Sequence, residues 1–166
     1  MTNKDFKIRR KTLLSQILDN SVVFIFSGQE KSRNNDVNYK YRQSSNFFYL
    51  TGINDASTVL VMTKNGKRVS VTLVCTRPNI VDKIWTGQLP SKMTYKKKFD
   101  INNVIYFDEL RSFDLDDFEN MYFEFNDESM ASDFLSNLTF KQSRSRYSAT
   151  GSSRSTKINL SSILFD

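Results

Sequence analysis

Few side chains in this chain could do covalent, acid–base or metal chemistry, and their types exclude more than they permit. Histidine is absent, which removes Ser-His and Cys-His nucleophilic systems and any metal site needing an imidazole ligand. The one cysteine, Cys75, sits in an apolar run; it reads as a buried apolar residue and allows no disulfide framework. Carboxylates cluster as Asp114, Asp116 and Asp117 and as Asp127 and Glu128, positions that suit exposed helix starts better than a metal cage. The five glycines stand apart, at 28, 52, 66, 87 and 151, so there is no glycine-rich phosphate loop.

What is left favours binding over bond breaking. The stretch Tyr39–Gly52 presents Arg42 and Gln43 in a polar half that runs into Phe47, Phe48 and Tyr49 and stops at Gly52. The aromatic half reads as a strand. Before it, residues 29–46 are polar and without period, long for a connection inside a compact domain and therefore a candidate for function; they include Asp36. The only tryptophan, Trp85, follows Val81 and Ile84, which supply the inward side of a short helix. Trp85 then leans outward, where a rigid aromatic suits a contact or a ligand wall.

The elements that must position these residues follow from periodicity. Apolar residues at helical spacing from Phe6 to Leu18 predict an opening helix over Thr2–Asp19, capped by Thr2 or Asn3, with Arg9-Arg10-Lys11 on a solvated face. Ser21–Ser27 is a strand buried on both faces. Strands are expected at 47–51, 57–63, 68–76, 103–107 and 120–125, with a hairpin around Asn65-Gly66. Helices are expected at 78–85, 92–99, 108–118 and 128–138. The result is an α/β domain: three layers, a mixed sheet of roughly six strands, helices on both faces.

At 166 residues one domain is the default. Its boundary falls near residue 140, where the composition turns to Ser, Arg, Thr and Gly. Lys141, Arg144, Arg146, Arg154 and Lys157 have no acid among them, so the net charge of +6 belongs to a tail and not to the nearly balanced body. The segment 141–166 reads as a basic linker ending in the start of a helix at Ile158. No apolar run is long enough to span a membrane, and the N-terminus lacks the pattern of a secretory leader. The expected compartment is the cytoplasm.

Read in register, Arg33, Asp36, Tyr39, Tyr41, Arg42, Gln43, Ser45, Phe47, Tyr49, Thr51 and Gly52 form the pattern R-x-x-D-x-x-Y-x-Y-R-Q-x-S-x-F-x-Y-x-T-G. This closely resembles the N-terminal domain of aminopeptidase P, the Xaa-Pro aminopeptidase family. Phe6, Arg9, Arg10 and Leu13 extend the likeness upstream, and Ile84, Trp85 and Gly87 extend it to about residue 90; from 91 to 140 only the order of elements agrees. The resemblance implies a creatinase/prolidase N-terminal fold with a ribonuclease H-like motif, preceding a catalytic domain that holds two manganese ions and is absent from this chain. It implies no cofactor and no catalytic residue here, and a role in oligomer assembly and in the substrate pocket. Proline-containing peptides would bind only in the full assembly, with Trp85 on the pocket surface and Asp36 and Arg42 bracing the long loop. Lys40 stands where the family commonly has proline, which loosens that loop. Two other readings are a stand-alone module pairing with a full-length peptidase, and a weak binder of nucleic acid or another anionic surface through the basic tail.

Overall fold

The computed structural model describes residues 2–34, 37–78, 90–101, 103–112, 118–124, 134 and 156–160. The chain opens with helix α1 (Asn3–Gln16), whose first turn is closed by the Asp5 carboxylate accepting the Thr2 backbone N–H at 2.7 Å. That hydrogen bond and one from the Thr2 hydroxyl hold the Asp5 carboxyl below its ordinary range. The helix ends at Gln16 rather than Asp19, because Ile17 turns extended to enter the core while Leu18 is left exposed.

Strand β1 (Ser21–Phe26) is buried along its whole length, as its unbroken apolar run requires. Its alternation serves two cores: Val23 and Ile25 join one cluster, and Val22, Phe24 and Phe26 the other. The short hairpin of β2 (Ser32–Asn34) and β3 (Val37–Asn38) follows within the long polar segment. Strands β4 (Thr58–Asn65) and β5 (Arg68–Cys75) pair antiparallel. They turn through Gly66, whose φ of +56° is easy only for glycine. Edge-ward from β5 lies β6 (Asn103–Tyr106), parallel to it, followed by a 3₁₀ turn at Phe107–Ser112. On the other side of β1 lies β7 (Asn120–Phe123), parallel to β1, and beyond it β8 (Thr156–Asn159), parallel to β7. The sheet order is β6-β5-β4-β1-β7-β8, a mixed sheet as expected from sequence.

Two expectations are corrected. Residues 45–51, read as a strand at Phe47–Thr51, form helix α2 (Ser45–Thr51): the Ser44 hydroxyl caps its start, and Gly52, at φ +70°, closes its end by donating its N–H to Phe48. The deciding spacing is Phe47, Leu50 and Thr51, which are buried, against the exposed Phe48 and Tyr49. A strand would have put Phe47 and Tyr49 on one face; a helix puts Phe47 with Leu50. The second correction is Ile158, which opens no helix. Thr156–Asn159 is the edge strand β8, and Leu160 after it is fully buried, its N–H bonded to the Phe123 carbonyl at 3.0 Å. The body up to residue 124 thus supplies five strands of the sheet and the tail supplies the outermost one. Of the helices expected later in the chain, α3 (Lys92–Phe99) is present, and the 3₁₀ turn occupies the first part of 108–118. The expected elements at 78–85 and 128–138 lie outside the described residues, apart from Pro78 and the helical Phe134.

Helices α1, α2 and α3 share one face of the sheet, where Leu13, Leu14, Phe47, Leu50, Tyr95 and Phe99 pack in a single cluster. On the opposite face Phe134 meets Phe24 and Phe26 edge-on, with ring centroids 5.5 Å away in each case. Arginine, not only apolar surface, docks α1 on α2. Arg9 and Arg10 each donate at 2.9 Å to a carbonyl in the last turn of α2, those of Tyr49 and Leu50. The basic cluster read as a solvated face is therefore split, with Arg10 only 3% exposed. Burial holds its guanidinium below the ordinary arginine value, but the hydrogen bond and the negative end of the α2 dipole compensate its charge. The contact is closed by Phe6, whose ring would lie 2.5 Å from a Cβ at residue 52.

Gly52→Ala is expected to destabilise the fold by about 1–3 kcal/mol, combining a left-handed backbone with a clash on Phe6. Urea denaturation of the two proteins checks it; an unchanged midpoint would show that neither constraint is felt.

Candidate functional site

The polar half of Tyr39–Gly52 meets the end of the central strand at Gly28. There the backbones come so close that a Cβ on Gly28 would sit 2.3 Å from the Arg42 carbonyl oxygen and 3.2 Å from the Gln43 Cα. Only glycine permits this approach. It brings the Gln43 side chain between three segments. Its Oε1 accepts the N–H groups of Gly28 (2.6 Å) and Ser44 (2.9 Å). Its Nε2 donates to the carbonyls of Ile53 and Asp55, both at 3.1 Å. All four hydrogen-bonding positions of the amide are filled.

From this amide the connections spread outward. Thr58 donates its hydroxyl to the Asp55 carbonyl (3.2 Å) and its N–H to the Ser27 hydroxyl (3.0 Å), while Ser27 returns its N–H to the Thr58 carbonyl (3.0 Å). The Asp55 carboxylate accepts the Tyr95 hydroxyl at 3.1 Å, which ties α3 to the same loop. Burial, with the Asp55 charge beside it, pushes the Tyr95 phenol far above its ordinary value. Tyr41 reaches the Gly28 carbonyl at 3.4 Å, and burial pushes its phenol up to about 12.

A second constellation stands at the C-terminal ends of β5 and β6. Arg77 donates from Nε (3.1 Å) and Nη2 (3.0 Å) to the same Asp108 oxygen and lies 3.4 Å from Glu109. Lys92 pairs with the other Glu109 oxygen, which also accepts the Tyr106 N–H at 3.0 Å. These donors, Lys92 first, hold the Glu109 carboxyl below its ordinary range. Both cations lie over the Tyr106 ring, Arg77 at 4.3 Å and Lys92 at 4.2 Å from its centroid. The arrangement is a neutralised network that clamps residues on either side of the segment 79–89. It offers no free carboxylate for acid–base work.

Of the residues singled out from sequence, Arg42 is exposed, and among the described residues its guanidinium makes no hydrogen bond or ion pair; its backbone carbonyl is the part that meets Gly28. Asp36 and Trp85 lie outside the described residues. The bracing in view belongs to Gln43, which the sequence reading named beside Arg42 but gave no role. Its signal was the pairing of a strand-ending glycine with a glutamine followed by two serines, which gains meaning only once the two segments are known to meet.

The model of the family described as "Aminopeptidase P, N-terminal domain" matches residues 6–121. The chain belongs to this family. Among curated proteins it is similar to a Xaa-Pro aminopeptidase of Escherichia coli, 29% identical over 111 residues that make 66% of this chain and 25% of that protein. A Xaa-Pro aminopeptidase of Haemophilus influenzae is 35% identical over 89 residues, 53% of this chain and 20% of that protein. Among solved structures, aminopeptidase P from E. coli superposes with a TM-score of 0.80 at 24% identity, covering 96% of this chain and 37% of that one. The Yersinia pestis proline aminopeptidase P II does so at 0.79, 24% identity and the same coverage. The likeness in structure shows the fold, and the chain spans a quarter or less of the length of these curated relatives.

The relatives belong to a metallopeptidase family, yet the described side chains do not fit a metal ion. Imidazole is missing from the whole chain. The Cys75 thiol is buried, its Sγ 3.6 Å from the Ile105 carbonyl, and burial pushes its pKa up to about 11. Among the described residues no three His, Cys, Asp or Glu side chains gather as ligands, and no helix is long and apolar enough to cross a membrane. No step of hydrolysis is assigned to these residues.

Gln43→Ala should lower stability by about 2–3 kcal/mol, since it leaves two N–H groups and two carbonyls short of a partner. Gln43→Glu discriminates further. A carboxylate facing the Ile53 and Asp55 carbonyls is repelled, so its folded pKa rises, and the deficit against the parent chain should be small in acid and grow as pH rises through about 4–6. Denaturation midpoints across that range test it; a deficit that shrank with pH would contradict the assigned contacts. For Tyr41 the sign is opposite to that of a paired carboxylate. A phenol raised from 10.0 to about 12 in the fold contributes stability that is complete below the ordinary value and is lost as pH rises through the folded one. Tyr41→Phe should therefore flatten the alkaline loss of stability in that interval, and an unchanged alkaline limb would disprove the shift.

Proposed function

We propose that this chain is the non-catalytic N-terminal domain of a Xaa-Pro aminopeptidase and acts by shaping an assembly rather than by cleaving peptides. The observation that carries the reading is the family match over residues 6–121; among the described residues no metal-binding set gathers beside it. In this reading residues 1–140 with the added edge strand form the domain. Two manganese ions and the bond-breaking residues belong to a catalytic domain outside this sequence. The oligomer interface and one wall of the substrate pocket are the functional surfaces, with cytoplasm as the compartment.

Within that assignment Trp85 is the candidate pocket residue, since prolyl and apolar side chains pack on a flat aromatic face without needing a hydrogen bond. Its segment is flanked by the clamp of Arg77, Tyr106, Lys92 and Glu109, which gives it two fixed ends. Asp36 and Arg42 are proposed as secondary braces of the long loop, reinforcing the anchor at Gln43. The exposed guanidinium of Arg42 is free to serve that role.

Purified chain supplied with manganese and an Xaa-Pro peptide should show no release of the N-terminal residue above the rate of buffer alone. Metal-dependent turnover that follows the protein through purification would overturn the proposal.

A further inference from the structure

The near-balance of charge in the body conceals a segregation that only the fold shows. Helices α1 and α3 lie on the same face of the sheet. They are joined at one end, where the Asn3 side chain donates to the Lys98 carbonyl at 2.9 Å and Lys7 pairs with Asp100 at 3.4 Å. On α1 the buried side is Phe6, Arg10, Leu13 and Leu14. Helical spacing then turns Lys4, Ile8 and Lys11 outward together, with Lys7 on the flank toward α3. On α3 the buried side is Tyr95 and Phe99, which turns Met93 and Lys97 outward with Lys96 and Lys98 beside them.

All six lysines, at 4, 7, 11, 96, 97 and 98, are exposed. The acids on the two helices and their ends are Asp5, held by Thr2, and Asp100, paired with Lys7. Amid the lysines stand two large apolar side chains with no cover from the fold, Ile8 at 54% and Met93 at 66% exposure. The two arginines of α1 are turned away, bonded to α2.

We propose that this lysine-rich face of α1 and α3 is a docking surface for an anionic lipid bilayer. The pattern is that of an interfacial surface: cations that reach acidic headgroups from the rim, and apolar side chains that enter the headgroup layer between them. A nucleic acid is the poorer fit. Phosphate contacts would use the lysines but leave Ile8 and Met93 against charge, and neither arginine of α1 is available for bidentate phosphate or base contact. The proposal is independent of the peptidase reading.

The test is co-sedimentation of the full chain with vesicles of phosphatidylcholine alone or with about one third phosphatidylglycerol, at low and high salt. Binding is expected only to the anionic vesicles and should fade with salt. Lys4→Glu with Lys97→Glu should weaken it by tenfold or more, at roughly 1 kcal/mol per surface lysine. Ile8→Ser with Met93→Ser should weaken it several-fold at unchanged charge. All four sites are exposed, and circular dichroism is the check that the variants fold. The competing contribution of the tail is read with a chain in which Lys141, Arg144, Arg146, Arg154 and Lys157 are glutamine. If that chain loses binding while the helix variants keep it, the surface is the tail and the proposal fails. It fails equally if the parent chain ignores anionic vesicles, or if it is retained on duplex DNA in a manner abolished by the same charge reversals without sedimenting with lipid.

Discussion

The close approach of Gly28 to the Arg42–Gln43 backbone is the constraint on which this half of the molecule depends. A polar excursion between the central strand and α2 must return to the sheet with its backbone groups satisfied, because buried N–H and C=O groups without partners are costly. One side chain does most of this. The Gln43 amide takes two N–H groups and supplies two carbonyls, so the strand end, the start of α2 and the loop after it share one rigid point. That loop fixes Asp55, Asp55 fixes Tyr95, and Tyr95 seats α3 on the sheet. Without a Cβ at residue 28 the parts come within hydrogen-bonding distance; with one, the backbone of Arg42 would have to move.

The arginines of α1 illustrate a related economy of geometry. A helix end leaves carbonyls unpaired, and α2 is only seven residues long, so a large share of its backbone is terminal. Gly52 satisfies one carbonyl through its own N–H, while Arg9 and Arg10 reach from a neighbouring helix to two others. Arg9 also lies over the Tyr49 ring, 4.1 Å from its centroid, which explains how a half-exposed tyrosine and an arginine are both held in place. A short helix that would be marginal alone is made permanent by contacts from α1 and by burial of Phe47 and Leu50.

Much of this was legible in the sequence. The central strand, the β4–β5 hairpin, α1, α3 and the mixed sheet follow from apolar runs, from Asn65-Gly66 and from helical spacing, and the register of Arg33 to Gly52 carried the family. What was not legible has physical reasons. Phe47-Phe48-Tyr49 is too short for periodicity to separate strand from helix, and β-propensity pulls the wrong way. The answer lay in the Ser44 cap and in Thr51, whose hydroxyl bonds the Phe47 carbonyl one turn back at 2.7 Å. The site was less readable still. A glutamine in a polar loop has no pattern that marks it as fully bonded, since its partners are carbonyls at residues 53 and 55 and an amide at 28, which only the tertiary fold brings together. Charge has the same property: Lys4 and Lys97 are far apart in the chain and come to the same side of the sheet only because α1 and α3 pack on one face of it.

The tail shows how tertiary pairing overrides composition. Residues 141–155 are polar and basic, which suggests a linker with no stake in the core, and Ile158, Leu160 and Ile163 suggest an amphipathic helix. Pairing instead favours a strand, because β7 has an open side once β1 occupies the other, and an exposed strand edge is a site where backbone groups seek partners. Thr156–Asn159 fills it in parallel register, Asn120 to Thr156 through Phe123 to Asn159. Leu160 then drops into the same core as Leu13 and Phe47. Whatever follows Leu160 begins from a hydrogen-bonded edge of the sheet and a fully buried anchor, so its starting direction is set by the domain, in contrast to the freedom a Ser/Arg-rich linker would have left it.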